Sequence, residues 1–448
     1  MTVKKDVVII GGGTAGIAAA LTCAEMGARV GLIEKKRLGG RLLYSDSYAR
    51  QIVENILPTL ESGDDHFSQL KQGCEEAFGK ISKNCETNLQ DLGVDIIYGE
   101  GRPAGRQVQV VGPDEKETVL EGDKIILTCG SVPHSSRHMP LDGETILSMA
   151  DFWNRSHIPA SIMVLGTGDL SYETARIFKA LGCKVFWVLP GSRVLSHADP
   201  ELCDIMERHL KQKKIKLISN KKVESFHRRE GALDITLDGG LKFSAECILV
   251  SGGRKPVDMG LDAMGMRLGE HGEILTEETL ETSTQGVFAA GSILGREGFH
   301  GLSEEEGRVA AENALGKVRK ISRDMIPRMI HCSPELAWIG VSAQEAHHLG
   351  FRGLEGVVRT EALDAGVLNQ EEGFVKLVAD AESERIIGAQ LACAHAGDMV
   401  DLISLVMRRG LKAQTLANLS CQRGSPAYGV RSAGRALLKA MKKRLKSP

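Results

Sequence analysis

Three glycines at fixed spacing and one distant acid are the first residues in this sequence whose pattern could bind a ligand. Gly11, Gly13 and Gly16 form a Gly-x-Gly-x-x-Gly turn, and Glu34 lies eighteen positions after Gly16. Such glycines allow a tight turn, the approach of a diphosphate group to the backbone, and close packing of a helix on a strand. A carboxylate at this distance can accept hydrogen bonds from ribose hydroxyls. The pattern therefore predicts a dinucleotide site.

The residues around this turn supply the elements that such a site needs. Residues 6–10 form a short apolar run typical of a buried parallel strand, and residues 29–33 form a second one. Small residues after Gly16 predict a helix between the two strands. The N-terminus of that helix would present backbone N–H groups and a partial positive charge to the phosphates.

A weaker copy of the same pattern begins 155 residues later. Gly166 and Gly168 follow an apolar strand, and Ser171 stands at the position of the third glycine. A helix and another strand are predicted next, at 169–181 and 184–189. Two such units in one chain predict two nucleotides that face each other, as a flavin and a nicotinamide do.

Length and composition limit the class of protein. At 448 residues the chain is expected to hold roughly three domains. Its 56 Lys and Arg residues nearly balance 58 Asp and Glu residues, so charge gives no argument for a nucleic-acid partner. We expect a soluble cytoplasmic protein without a signal peptide, because the first strand begins near Met1 and no apolar run could span a bilayer. The ten cysteines include no CxxC pair, so spacing predicts neither a metal site nor a local redox pair.

Further elements are predicted along the rest of the chain. Strands are predicted at 107–111, 124–130, 337–341 and 373–379, and helices at 304–315, 396–409 and from Tyr428 onward. The last 120 residues contain no phosphate turn. An α+β region of this kind is expected to mediate oligomerisation.

The end of the closing helix is basic and amphipathic. Six Lys and Arg residues surround one apolar stripe, which consists of Leu437, Leu438, Met441 and Leu445. Such a helix can lie on an anionic membrane or contact an acidic partner. The alternative is a solvated last helix whose lysines suit the negative end of the helix dipole.

An ordered series of motifs covers nearly the whole chain. The motifs are GGGTAG with Glu34, LGG at 38–40, TCGSVP at 128–133, VSGGRKP at 250–256, TSTQGVFAAG at 282–291, EEGRVAAEN at 305–313, SPELAWIG at 333–340 and EGFVKLVAD at 372–380. In this series the chain resembles the flavoprotein disulfide reductases, the dihydrolipoamide dehydrogenases in particular.

The resemblance implies an α/β fold with two Rossmann-like dinucleotide-binding domains and a C-terminal α+β dimerisation domain. An FAD-binding domain would comprise 1–150 and 273–326, an NAD(P)-binding-like domain 151–272, and the interface domain of a homodimer 327–448. The implied FAD-binding residues are Gly11, Gly13, Gly16, Glu34, Gly40, Thr128, Gly130, Gly291 and Ser292. The implied NAD(P)H-binding residues are Gly166, Gly168 and Arg254, and Glu173 and Gln51 are expected to act in catalysis.

The chain departs from the family where the family does its chemistry. The two redox cysteines of the family correspond to Leu42 and Ser47, neither of which can form a disulfide or a thiolate. Gln51 replaces a lysine beside the flavin. Arg423 and Tyr428 replace a His and Glu general-base pair, and an arginine cannot shuttle protons at neutral pH.

The second nucleotide unit is altered as well. Asp169 would place negative charge near a bound diphosphate. Leu189 stands where a ribose-binding acid is expected, and no matched arginine pair for a 2′-phosphate is present, although Arg193 lies nearby. Glu173, the family's acid in the flavin–nicotinamide region, is kept.

Three functional hypotheses follow. The first is a flavoenzyme that passes electrons from NAD(P)H through FAD to a quinone, a small anion or a partner protein. In this hypothesis Arg423 orients the acceptor's oxygen and Tyr428 donates a hydrogen bond, whereas the alternative for Arg423 is an ion pair with a surface acid. The second hypothesis is a dimeric scaffold without catalysis, and the third is thiol chemistry relocated to Cys421.

Overall fold

The computed structural model describes residues 2–41, 47–59, 66–196, 198–262, 265–296, 299–370 and 372–444. The strands in chain order are β1 Thr2–Ile10, β2 Val30–Glu34, β3 Asp95–Tyr98, β4 Glu100–Ala104, β5 Gln107–Val111, β6 Glu117–Leu127, β7 Ser131–Pro133, β8 Ile146–Leu147, β9 Ser161–Leu165, β10 Lys184–Leu189, β11 Lys216–Ser219, β12 Val223–Arg229, β13 Ala232–Leu237, β14 Leu241–Ala245, β15 Cys247–Val250, β16 Arg254–Pro256, β17 Val287–Ala289, β18 Arg328–Ile330, β19 Glu335–Gly340, β20 Gly353–Arg359, β21 Phe374–Asp380 and β22 Ile386–Cys393.

The α-helices are α1 Thr14–Glu25, α2 Ser47–Ile56, α3 His66–Asp91, α4 Met149–Phe152, α5 Asp169–Ala180, α6 Pro200–Gln212, α7 His300–Ala314, α8 Ala343–His348, α9 Asp364–Asn369, α10 Ala396–Arg408, α11 Ala413–Ala417 and α12 Pro426–Arg444. Across the described ranges, no helix combines the length and the apolar character needed to cross a membrane.

The chain forms two compact units. The first comprises Met1–Pro190 and Asn220–Ile321, and the second comprises Gly191–Ser219 and Ser322–Pro448. Both nucleotide turns that the sequence predicted lie in the first unit. The division into three domains at the predicted boundaries stays a prediction.

One large sheet of the first unit is built around β1. Its strands are adjacent in the order β3-β2-β1-β6-β5-β4, and β17 also pairs with β6. β1 is parallel to both neighbours, with Val7 opposite Val30 on one side and Lys124 on the other. Helices α1 and α7 pack against each other. An added Cβ at Gly307 would lie 2.1 Å from the Ala15 carbonyl oxygen, so this close approach requires glycine.

A second parallel sheet in the same unit repeats this arrangement. Strands β10, β9, β15 and β8 are adjacent in that order, and α5 packs on β9 and β10. The antiparallel sheet β12-β13-β14 and the short pair β7 and β16 belong to this unit too. The predicted repeat of strand, turn, helix and strand is therefore confirmed, as β1-α1-β2 and β9-α5-β10.

The second unit is built on an antiparallel sheet in the order β18-β19-β22-β21-β20. Helices α10 and α12 pack against it. Leu437 and Met441 of α12 are buried in this core, and Leu438 packs on it. The described part of the predicted apolar stripe therefore stabilises its own unit, while Leu445 lies outside the described residues. Contact of the basic residues with a membrane or an acidic partner stays a prediction.

Most predicted boundaries agree with the structure to within two residues, and β9 and β10 begin where the sequence pattern placed them. The first strand begins at Thr2, earlier than predicted. The strand predicted at 124–130 runs from Glu117 to Leu127 instead. Its polar first half is held by antiparallel pairing with β5. The helix predicted from Glu304 begins at His300, in a first turn that has no apolar pattern.

A buried ion pair joins two distant segments of the second unit. Lys376 on β21 and Asp199, at the start of α6, are 8% and 5% exposed, and their side chains lie 2.9 Å apart. Glu201 lies 3.1 Å from the same ammonium group. Burial alone would lower the pKa of Lys376, but the two carboxylates raise it.

Removing this cation should destabilise the second unit strongly. In Lys376→Met the Asp199 carboxylate would remain buried without its partner, at a cost of about 3–5 kcal/mol. Thermal unfolding followed by circular dichroism should show a clearly lower midpoint. The control is Lys412→Met, which removes an exposed pair with Glu384 at 3.0 Å and should change stability by less than about 1 kcal/mol. Equal midpoints for the two variants would contradict the prediction.

Candidate functional site

The first glycine turn has the geometry of a closely packed strand, turn and helix. Gly11 has φ of +111°, in a region that favours glycine. An added Cβ at Gly16 would lie 1.8 Å from the Gly11 carbonyl oxygen, so α1 can approach β1 only with glycine there. Beside Gly13, in contrast, no described atom lies within 4 Å of an added Cβ. The turn is therefore packed from inside and open where a phosphate would approach.

Two polar side chains hold this turn. The Thr128 hydroxyl donates to the Gly11 carbonyl oxygen at 2.7 Å. The Glu34 carboxylate accepts from the backbone N–H groups of Gly12 at 2.7 Å and Lys36 at 2.8 Å. A carboxylate has about four acceptor positions, so Glu34 retains capacity for ribose hydroxyls.

Other predicted FAD-binding residues gather around the turn. The Gly39 N–H donates to Gly12 at 2.9 Å, and this places Gly40 beside Gly13. An added Cβ at Gly130 would lie 3.6 Å from the Ser292 hydroxyl. The structure thus brings the loop of Gly40, the end of β6 and the start of the Ser292 segment to the same turn.

Sequence reasoning missed Glu306 in this cluster. Its carboxylate is 2% exposed and accepts from the Gly291 N–H at 2.9 Å. Gly291 itself has φ of +81° and packs against Ala15 at the start of α1. The available signal was that Glu306 stands among the small and apolar residues that α7 buries, as Glu305 also does.

The second glycine turn keeps the same plan with different side chains. Gly166 follows β9, and an added Cβ there would lie 2.2 Å from the Ser171 hydroxyl oxygen. Around Gly168 no described atom lies within 4 Å of such a Cβ. The buried indole of Trp187 donates to the Gly166 carbonyl oxygen at 2.9 Å. Ser171 is buried at this position, so serine fits where the pattern usually has glycine.

The predicted ribose position beside the second glycine turn is apolar in the structure too. Leu189 ends β10 and is 1% exposed. In the second unit of the fold, Arg193 forms ion pairs with Asp204 and Glu207.

A short segment after β15 connects the two turns. The Gly252 N–H lies 3.0 Å from an added Cβ at Gly166, and the Val257 N–H donates to the Gly130 carbonyl oxygen at 3.1 Å. Between them, Arg254 bonds to the Ser131 hydroxyl at 3.0 Å. The VSGGRKP motif therefore lies against both predicted nucleotide sites.

The predicted catalytic residues of the first unit lie on two packed helices. Glu173 is buried on α5, and Gln51 is half-buried on α2, which packs against α5. Leu42 lies outside the described residues. Ser47 is the first residue of α2, and its side chain also lies outside the described part.

Arg423 and Tyr428 belong to the second unit. Arg423 forms a two-point ion pair with Asp364, with N–O distances of 2.6 and 3.3 Å. This is the pairing with a surface acid that the sequence left open as an alternative. The Arg431 guanidinium lies over the Tyr428 ring, with its central carbon 4.3 Å from the ring centre. Tyr428 also lines a pocket of about 200 Å³ together with Asp364 and His395.

Among the cysteines of the structure, Cys23, Cys129 and Cys247 are poor candidates for a thiol relay. All ten lie within the described ranges, and none of them forms a disulfide there. Cys129 follows the Thr128 that holds the first turn, and desolvation raises its pKa to about 12. Burial raises the pKa of Cys23 and Cys247 to about 12 too. A thiol with such a pKa is not a thiolate at neutral pH.

This fold and these turns define a class of two-nucleotide flavoproteins, and sequence comparison agrees. Residues 5–314 match the family described as pyridine nucleotide-disulphide oxidoreductase, and residues 326–422 match its dimerisation domain. The chain belongs to this family, whose cofactors are FAD and NAD(P)H. The open space beside Gly13 and the acceptor capacity of Glu34 fit FAD.

Among known proteins, the chain is similar to enzymes of different activity. It is 27% identical to a dihydrolipoyl dehydrogenase of Bacillus subtilis over 89% of this chain and 91% of that protein. It is 26% identical to a mercuric reductase of Staphylococcus aureus, over 92% of this chain and 79% of that protein. The solved structure of LpdA from Mycobacterium tuberculosis shares the fold, with a TM-score of 0.88, 21% identity and coverage of 97% and 99%.

Proposed function

We propose that this protein is an FAD-dependent NAD(P)H oxidoreductase whose electron acceptor is not a disulfide. The acceptor would be a quinone, a small anion or a partner protein. The proposal is supported by the sequence after Gly40, where the family resemblance assigns the positions of the redox cysteines to Leu42 and Ser47. The raised pKa of Cys129 beside the first turn supports it, because no reactive thiolate replaces the lost pair there.

The residues of the two turns would hold the cofactors. Gly13 leaves room for the FAD diphosphate, Glu34 would accept from its ribose, and Gly168 leaves the corresponding room for NAD(P)H. FAD held by these residues would supply the two-electron chemistry that links the reduced nicotinamide to the acceptor. Glu173 and Gln51, on packed helices, would line the region between the two cofactors.

Anaerobic mixing of the purified protein with NADH and with NADPH tests the first half of this proposal. Loss of the flavin's visible absorbance with either nucleotide is expected. A flavin that stays oxidised with both would refute the nicotinamide step. A cytoplasmic location belongs to the same proposal, and cell fractionation tests it.

We propose that Arg423 binds the electron acceptor. Its guanidinium is permanently charged and presents a planar set of donors, which suits a carboxylate or a quinone oxygen. Tyr428, at the start of the same helix, would donate a second hydrogen bond. In this proposal the two residues would act at the flavin of the other copy in the homodimer.

Arg423→Ala should slow oxidation of the reduced flavin by the preferred acceptor at least about tenfold, because one charged donor is lost. Stopped-flow measurement with a panel of quinones and oxoacids would show this. Asp364→Asn releases the guanidinium and should not slow the reaction. The control is Arg352→Ala, which removes an exposed pair with Glu382 at 3.4 Å and should leave the rate unchanged.

The second candidate is a dimeric flavoprotein scaffold without turnover. The ion pair between Arg423 and Asp364 favours it, because that contact occupies the guanidinium within its own chain. If no acceptor oxidises the reduced flavin faster than oxygen does, and Arg423→Ala changes nothing, the scaffold replaces the enzyme.

A further inference from the structure

The two glycine turns share a feature that the Gly-x-Gly pattern does not contain. In each turn the carbonyl oxygen of the first glycine accepts a hydrogen bond from a side chain. In the first turn the donor is the Thr128 hydroxyl, 2.7 Å from the Gly11 oxygen. In the second turn the donor is the Trp187 indole, 2.9 Å from the Gly166 oxygen. Thr128, which directly follows β6, and Trp187, which lies on β10, therefore hold equivalent atoms of the repeat.

Trp187 is well placed to hold its turn firmly. It lies on β10 opposite Val164 of β9, and its side chain is completely buried. A buried indole N–H needs an acceptor, and the carbonyl of the partly exposed Gly166 supplies it. The ring is also large and has few rotamers, which fixes the position of the donor.

The bond also fixes the orientation of the next peptide group. A peptide is planar, and in the trans form its C=O and N–H point in opposite directions. With the Gly166 C=O directed at the indole, the N–H of Thr167 points away from it. Thr167 is exposed and Gly168 is open on its outer side. The exposed side of the turn is therefore presented to solvent in one defined orientation.

At the second turn no ribose-binding acid assists the backbone. Glu34 can accept ribose hydroxyls at the first glycine turn. The equivalent residue at the second turn, Leu189, is apolar and buried. Contacts of the turn's backbone with the diphosphate group, which NAD and NADP share, therefore carry a larger part of recognition at the second site.

We propose that Trp187 is a positioning residue of the pyridine-nucleotide site, which holds the second glycine turn in the orientation that binds the diphosphate group. This inference rests on the proposed use of the second turn for NAD(P)H. Because the diphosphate is common to both nucleotides, loss of the Trp187 bond should weaken NAD⁺ and NADP⁺ equally.

The test replaces only the donor. Site-specific incorporation of β-(3-benzothienyl)alanine at position 187 keeps the size of the ring and removes its N–H. Calorimetric titration with NAD⁺ and NADP⁺ should give dissociation constants about tenfold higher than in the wild type, which corresponds to about 1.4 kcal/mol. FAD content and the unfolding midpoint should stay close to the wild-type values. The matched control is the same replacement at Trp338 of the second unit, which should change neither constant.

A reciprocal variant separates the two turns. Thr128→Val removes the corresponding donor of the first turn and should lower FAD retention. Dissociation constants within twofold of wild type for the Trp187 replacement would overturn its positioning role. The positioning role would also be overturned if the replacement lowered FAD content and the unfolding midpoint as strongly as it lowered nucleotide affinity. The indole would then support the fold as a whole. A wild-type protein that binds neither nucleotide would instead refute the proposed nicotinamide step.

Discussion

Lipoamide and glutathione disulfide should not be reduced by this protein above the rate of a protein-free control. Reduction of a disulfide in this family requires a thiolate that attacks one of its sulfur atoms. Leu42 and Ser47 supply no thiolate, and the pKa of Cys129 is about 12. If the proposed function is right, electrons on the flavin have no thiol route through these residues to a disulfide substrate.

The measurement is NAD(P)H consumption with each disulfide and, in the reverse direction, NAD⁺ reduction by dihydrolipoamide. Anaerobic flavin reduction by NAD(P)H in the same preparation controls for an inactive protein. Cys421→Ser tests the relocated thiol. Cys421 is half-buried and precedes Arg423 by two positions in the sequence. If the wild type does turn over a disulfide, loss of that turnover in Cys421→Ser would favour thiol chemistry at Cys421. Turnover that persists in the variant would mean that the cysteine positions are misassigned.

Gly13→Ala and Gly16→Ala should both abolish FAD retention, but for different reasons. Gly13 has φ of −77° and open space around it, so alanine fits the protein and obstructs only the ligand. At Gly16 the new Cβ would lie 1.8 Å from a backbone oxygen, so α1 must move away from β1. Overpacking of this kind costs about 1–3 kcal/mol and at times more.

Absorbance of the purified variants and their thermal unfolding distinguish the two effects. Wild type should purify as a yellow homodimer with FAD, and Gly13→Ala should be colourless with the stability of the wild-type apoprotein. Gly16→Ala should be colourless and clearly less stable than that apoprotein. Glu34→Ala should retain FAD weakly, because only the ribose contact is lost. A yellow Gly13→Ala protein would show that the diphosphate does not lie at this turn.

The sequence predicted the parts of the fold that depend on local patterns. Strands β9 and β10 and the glycine turns were predictable, because a buried parallel strand is a short apolar run and a tight turn needs the conformational freedom of glycine. The FAD side of the site followed from the same spacing, with Glu34 eighteen positions after Gly16. The structure confirms this local arrangement, with α1 packed on β1 through Gly16.

Contacts between distant residues were decided only by the tertiary structure. Lys376 bonds to Asp199, which is 177 positions away, and Glu306 reaches back to Gly291 across a turn that the sequence pattern does not define. Arg423 has the chemistry to bind an anion, yet in the folded chain it pairs with Asp364. Trp187 lies in an apolar strand whose pattern assigns no partner to its N–H, and only the fold shows that this N–H donates to Gly166. Periodicity specifies which side of a strand is buried, but the partner of a polar atom depends on which segments the chain brings together.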